Sequence, residues 1–149
     1  MDAYKLYVKS RKHYLKGNIF MAKIITKINN LLHNSYIPYT VDIGKNSKFA
    51  YGGIGVVLHE KCVIGKNCTL GQGSTIGGRT GHGGPPTIGD NVYISAGARL
   101  LGGFHVGNNV VIGANSVVIN DVPDNSVVAG IPAKVISTNV DKWKKEGII

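Results

Sequence analysis

Residues 58–77 read LHEKCVIGKNCTLGQGSTIG, with an aliphatic residue at every sixth position: Leu58, Ile64, Leu70 and Ile76. The phase resumes at Ile88, two steps of six further on, and continues through Ile94, Leu100, Val106, Ile112 and Val118. Gly follows the aliphatic residue at 65, 71, 77, 89, 107 and 113, and four residues after it stands a small or apolar one, as at Cys68, Ser74, Val92, Ala98, Val110 and Ser116. A helix repeats every 3.6 residues and a strand every 2, so neither explains a period of six. One short strand plus one tight turn per hexad does. Three hexads close a triangular coil, the aliphatics stack in columns inside it, and glycine supplies turn backbone that a Cβ would hinder. The expected fold is an all-β solenoid, a parallel β-helix, over residues 38–136.

Such a coil covers its apolar face only with neighbouring coils, so both ends need caps. At one end, residues 1–37 read as a helical arm. Tyr4, Tyr7, Val8, Tyr14 and Leu15, then Ile24, Ile25, Ile28, Leu31 and Leu32, recur at three-to-four spacing; Gly17-Asn18 divides two helices and Pro38 closes the segment. At the other end, DVPDNSVVAGIPAKVI (residues 121–136) breaks the phase with Pro123 and Pro132, and residues 137–149 form a short tail around Trp143.

The length of 149 residues suits one domain, and 21 glycines are about twice the usual share, as a repeated tight backbone requires. The formal charge of +9 is concentrated: Lys5, Lys9, Arg11, Lys12, Lys16, Lys23 and Lys27 lie in the arm, with Asp2 the one acid among the first forty residues. Two readings of the arm stand open, packing on its own domain or a neighbour, and lying on an anionic membrane as a peripheral contact. Nucleic-acid binding is not expected, because the cations are not interleaved with stacking aromatics. Cys62 and Cys68 lack the partners of a zinc site and read as small buried thiols in a reducing compartment. No signal-peptide pattern or eighteen-residue apolar run is present, so a cytoplasmic location is expected.

The repeats IGKNCT, LGQGST, IGDNVY, ISAGAR and IGANSV, with the ending NSVVAGIPAKVI, resemble the hexapeptide-repeat acyltransferases. Within them, VDIG, GIGVVLHEKCVIG, TIGG and the Gly-rich insertion before Ile88 are most similar to serine acetyltransferases and related polysaccharide O-acetyltransferases. The resemblance covers about residues 40–136. It implies left-handed coiling, a homotrimer, acetyl-CoA as co-substrate with no metal, and transfer of acetyl to the hydroxyl of serine or of a surface-polysaccharide sugar.

Acetyl transfer to a hydroxyl needs a base, and histidine titrates in the right range. His13 and His33 lie in the arm and His105 at a corner facing solvent. His59 takes the slot after the stacked aliphatic, so it points outward from the coil wall and is the first choice for the base. His82 falls in the phase of the inward column, where a lone imidazole costs roughly 1–3 kcal/mol. GRTGHGGPPT therefore leaves the coil as a loop, and His82 is the second candidate. By resemblance, Asp42 matches an aspartate that orients the catalytic histidine, and a CoA channel passes Gly78, Arg79, Ala96, Ala114 and Lys134. The family's Asp-His pair a few residues before its G-[IV]-V-V stretch is missing here, where FAYGGIGVVLH has Ala50 and Tyr51 nearby and no histidine until His59, and loss of the Asp favours a saccharide over serine. The competing class is a non-catalytic or metal-binding β-helix scaffold, and a zinc site would require three convergent histidines.

Overall fold

The structure is a computed structural model that describes residues 2–147. Two helices, α1 (Ala3–Leu15) and α2 (Ile19–His33), lead into fourteen short strands. These are β1 (Asp42–Ile43), β2 (Lys48–Phe49), β3 (Val57–Leu58), β4 (Val63–Ile64), β5 (Thr69–Leu70), β6 (Thr75–Gly77), β7 (Thr87–Ile88), β8 (Tyr93–Ile94), β9 (Arg99–Leu101), β10 (His105–Val106), β11 (Val111–Ile112), β12 (Val117–Val118), β13 (Val127–Gly130) and β14 (Ala133–Ser137). A last helix, α3 (Val140–Lys145), follows.

Every third strand pairs with its equivalent in the next turn. The three sheets run β1-β4-β7-β10, β2-β5-β8-β11-β13 and β3-β6-β9-β12, all parallel, and β14 adds antiparallel to β13. Val57 lies opposite Thr75, eighteen residues on, and Thr87 opposite His105, also eighteen on. This is the triangular solenoid that three hexads per turn dictate. All ten phased aliphatics point inward, none more than 3% exposed. Cys62, Cys68, Ser74, Val92, Ala98, Val110 and Ser116, at the second small position, are buried too. Each large aliphatic taken from water in this way contributes about 1.5–3 kcal/mol.

Of the glycines after the aliphatic residues, Gly65, Gly71, Gly89 and Gly107 have a different reason from the one the repeat suggests, whereas a Cβ on Gly77 would meet nothing closer than 3.7 Å. A Cβ on Gly65 would stand 2.4 Å from the Gly89 carbonyl oxygen, and one on Gly71 would stand 2.4 Å from the Ala96 nitrogen. Close approach of one rung to the next excludes the side chain. The left-handed turn positions along one edge fall to asparagine instead: Asn46, Asn67, Asn91, Asn109 and Asn125 have φ between 54° and 62°. Asparagine tolerates this region and bonds locally. Asn67 Nδ2 donates to Asn91 Oδ1 (3.1 Å) and Asn109 Nδ2 to Asn125 Oδ1 (3.0 Å), so the edge is stitched from rung to rung.

Across the insertion the register jumps to twenty-four residues, with Val63 opposite Thr87 and Thr75 opposite Arg99. Six extra residues therefore lengthen the corner after β6 into a loop, residues 78–86, without disturbing the columns on either side. The expected loop around His82 is this excursion.

Helix α1 caps the open first rung. Ala3 and Tyr7 join the coil core, the Tyr7 hydroxyl donates to the Val41 carbonyl (2.8 Å), and Tyr4 meets Phe49 edge-on at 5.7 Å. Helix α2 folds back on α1: the Asn29 amide donates to the Ala3 carbonyl (3.0 Å) and the Ser10 hydroxyl to the Ala22 carbonyl (2.8 Å). At the far end the phase shortens after Val118, and β14 with α3 closes the coil, Val140 and Trp143 packing on Val111 and Val127.

Candidate functional site

Each rung turns three corners, so the prism has three edges. One carries the asparagine ladder. A second, between the β3-β6-β9-β12 sheet and the β1-β4-β7-β10 sheet, carries His59, the loop of residues 78–86 and the corners at 102–104 and 119–121. The third carries Ile54, Gln72, Ala96 and Ala114, stacked by amide bonds from Gly73 to Ile54, Gly97 to Gln72 and Asn115 to Ala96 (each 2.9 Å). The site residues expected from the sequence are thus divided. His59, Gly78, Arg79 and His82 share the histidine edge. Ala96 and Ala114 lie a full sheet face away. Lys134 lies opposite Ala129 in the β13–β14 pair, and a Cβ on Gly113 would meet Ala129 at 3.0 Å, so Lys134 stands at the end of the alanine edge.

His59 directly follows β3 and is half-buried on the outside of the wall, as its slot predicts. Its Nδ1 accepts the Lys61 backbone N–H at 3.1 Å. A neutral imidazole accepting at Nδ1 carries its proton on Nε2, so His59 in this arrangement presents a donor to solvent. The next corner below it is the loop. His82 is exposed there; its N–H donates to the Arg79 carbonyl (2.9 Å), and its carbonyl accepts the Gly103 N–H (2.6 Å), which fastens the loop to the coil. A hollow of about 370 Å³ lies between loop and coil, lined by Arg79, His82, Phe104, Asn120 and Asp121 with the Gly102-Gly103 backbone. Asp121 Oδ1 accepts the His105 N–H (2.8 Å), and Arg79 Nε is buried with no protein partner. A buried guanidinium donor left unpaired is costly. It makes this hollow suited to a ligand bearing acceptor oxygens.

Asp42 sits outside β1 and pairs with Arg11 Nη2 at 3.0 Å, while Arg11 Nη1 donates to the carbonyls of Tyr39 (3.2 Å) and Thr40 (3.0 Å). No hydrogen bond or ion pair joins Asp42 to a histidine among the described residues. Its visible role is to hold α1 on the coil. Arg99, another cation near the alanine edge, spends its guanidinium on the carbonyls of Gly73 and Gly97. Tyr51, near the stretch where the resemblance leads one to expect an Asp-His pair, begins that edge at φ 48° and is 78% exposed. The thiols of Cys62 and Cys68 are buried and free, and burial pushes that of Cys62 up to about 12, so neither is a nucleophile near neutrality. No group of three or more His, Cys, Asp or Glu is gathered among the described residues.

Three groups escaped the sequence reading: Arg11 as the partner of Asp42, and Asn120 and Asp121 as walls of the hollow. Asp121 has the appearance of a turn residue in the sequence, and it is one. Its place in the hollow follows only from the return of the chain one rung later.

Comparison with known proteins agrees with this geometry. Residues 85–120 match the bacterial transferase hexapeptide model (six repeats), and residues 62–83 the hexapeptide repeat of succinyl-transferase. The serine acetyltransferase of Bacillus pumilus is 40% identical over 135 residues, 89% of this chain and 62% of the relative; that of Staphylococcus xylosus is 42% identical over 125 residues, 83% and 57%. Among solved structures, the serine acetyltransferase of Brucella abortus in complex with coenzyme A superposes with a TM-score of 0.85 at 29% identity, over 92% of this chain and 55% of that one. The Neisseria gonorrhoeae serine acetyltransferase gives 0.83 at 33% identity, over 91% and 53%. The chain thus spans about three fifths of the length of the curated relatives it matches. Its fold is the left-handed parallel β-helix.

Proposed function

The chain belongs to the hexapeptide-repeat transferase family, and on that footing we propose that it transfers an acetyl group from acetyl-CoA to an acceptor hydroxyl, of serine or of a saccharide. One observation carries the reading: on the corners of one edge of a rigid coil, which also carries His59, a fastened loop brings His82 and Arg79 against the coil corner that holds Asp121, around one hollow. Acetyl-CoA supplies the activated acyl carbon and a thiol leaving group.

The two imidazoles suit different tasks. The His82 side chain makes no hydrogen bond among the described residues, and it takes the proton from the acceptor hydroxyl as its oxygen attacks. His59, with Nδ1 tied to the Lys61 amide, offers Nε2–H to the oxygen on which negative charge builds. On this reading the base is His82, and His59, the first choice on sequence grounds, serves as the donor to the oxyanion. Arg79, beside Gly78, holds a phosphate or carboxylate of a ligand, and Lys134 serves the channel at the end of the alanine edge. The small side chains of Ala96 and Ala114 leave a trough for a narrow chain, and the reading retains them as the channel wall. Because that trough lies a sheet face away from His82 on the same chain, the working site forms between copies, the histidine edge of one against the alanine edge of the next, in a homotrimer. Loss of the family's Asp-His pair, with Ala50 and Tyr51 nearby and no histidine until His59, favours a saccharide acceptor.

Free-thiol release from acetyl-CoA, measured with L-serine and a panel of nucleotide and polysaccharide sugars, tests the proposal. Turnover with one acceptor, reduced by about 10² or more in His82→Ala and less in His59→Ala, is the expected result. Absence both of turnover and of CoA binding overturns the enzyme reading. A monomeric mass by light scattering overturns the composite site.

A further inference from the structure

The helical hairpin turns a divided surface to solvent. Along α1, Lys5, Lys9 and Lys12 are exposed, with Lys16 just beyond the last turn. Along α2, Phe20, Ile24, Ile28 and Leu31 follow at spacings of four, four and three, which places them on one helix face. They are 73%, 37%, 42% and 77% exposed. Leu32 continues the ridge, and Leu15 and Ile19 extend it at the hairpin tip; all three are exposed. The face of α2 that packs inward is a different one, through Ala22 and Asn29. A contiguous apolar ridge of this size is unusual on a surface with nothing to cover.

We propose that this hairpin lies on an anionic membrane surface, with the α2 ridge sunk among acyl chains and the lysines level with the lipid phosphates. Charge selects the occupant. Neither α1 nor α2 contains an acidic residue, Lys23 and Lys27 flank the ridge, and of the arm's seven cations only Arg11 is paired with a carboxylate among the described residues. A second copy docking ridge to ridge would bring Lys23 and Lys27 against their own equivalents with no acid on these helices to offset them. An anionic headgroup layer supplies opposite charge along the whole arm and admits the ridge below it. No helix among the described residues is long and apolar enough to cross a membrane, so α2 lies in the interface plane. Acetyl transfer is not a premise of this inference, and the two fail independently.

Co-sedimentation of the whole chain with vesicles of phosphatidylglycerol and phosphatidylcholine, against phosphatidylcholine alone, tests it. The chain is expected to bind the mixed vesicles, to ignore the neutral ones and to release at high salt. Phe20→Glu with Leu31→Glu weakens binding by about tenfold or more, and Lys23→Glu with Lys27→Glu by about thirtyfold. Both pairs alter exposed positions and leave melting temperature and solution mass unchanged. Failure to bind anionic vesicles overturns the proposal, as does equal binding to neutral ones. So does binding that survives Phe20→Glu with Leu31→Glu, because the ridge is then not embedded. A change of solution mass in that variant assigns the ridge to contact between copies and overturns it too.

Discussion

Coil and hairpin are both periodic and both apolar on one face, yet they end differently. Leu58, Leu70, Ile76, Ile94 and Leu100 are completely buried, whereas Phe20 and Leu31 are more than 70% exposed. The difference lies in what supplies the opposing surface. A rung is covered by the next rung, which the same chain provides sixteen to twenty-four residues later. Helix α2 receives α1 on one side, and among the described residues nothing returns to cover the other. Periodicity reports that a face is apolar and is silent about its cover. A solenoid is the exception, because its repeat is its own cover.

Substitutions that sample both regions can break this contrast. The largest effect is expected from Leu100→Ala, which empties a fully buried position between two rungs. A loss of about 3–5 kcal/mol in denaturant unfolding follows if the rungs cannot collapse into the space; a loss below about 1 kcal/mol would mean that the columns are loosely stacked. Gly65→Ala comes next. It removes nothing, and the added Cβ falls 2.4 Å from both the Gly89 carbonyl oxygen and Asp90 Oδ1. Overpacking of this kind costs about 1–3 kcal/mol, and an unchanged melting temperature would show that the rung spacing yields. The smallest effect belongs to Leu31→Ser on the ridge, within about 0.5 kcal/mol in unfolding. A larger loss would reveal a cover that the isolated chain does not have.

The fold was legible because its decisive signal is local. Six-residue spacing survives any rearrangement of what lies between, and all ten phased residues occupy the column assigned to them. The break at Gly17-Asn18 and the excursion around His82 were legible for the same reason, as interruptions of a period. What escaped depends on residues brought together across rungs. Gly65 answers to the backbone of Gly89 one rung away, and no hexad considered alone shows that. The asparagine corners occur at 67, 91, 109 and 125, spacings that obscure their common φ until the rungs are stacked. Arg11 and Asp42 meet across thirty-one residues of sequence. For the candidate site, the sequence marked His59 and His82 as outward-facing or looped out, which they are, but not the Lys61 amide that ties Nδ1 and changes what His59 has to offer.

The register also bears on assembly. Each coil strand pairs only with strands sixteen to twenty-four residues away, apart from the antiparallel β13–β14 return, so closing the coil never requires a distant segment to be awaited. Helix α1 is made before the rung it caps, and every later rung finds its template already in place. In a chain synthesised from the amino end, order of appearance and order of docking therefore coincide. The terminal β14 and α3, which cover the last rung, complete the structure once no rungs remain to be added.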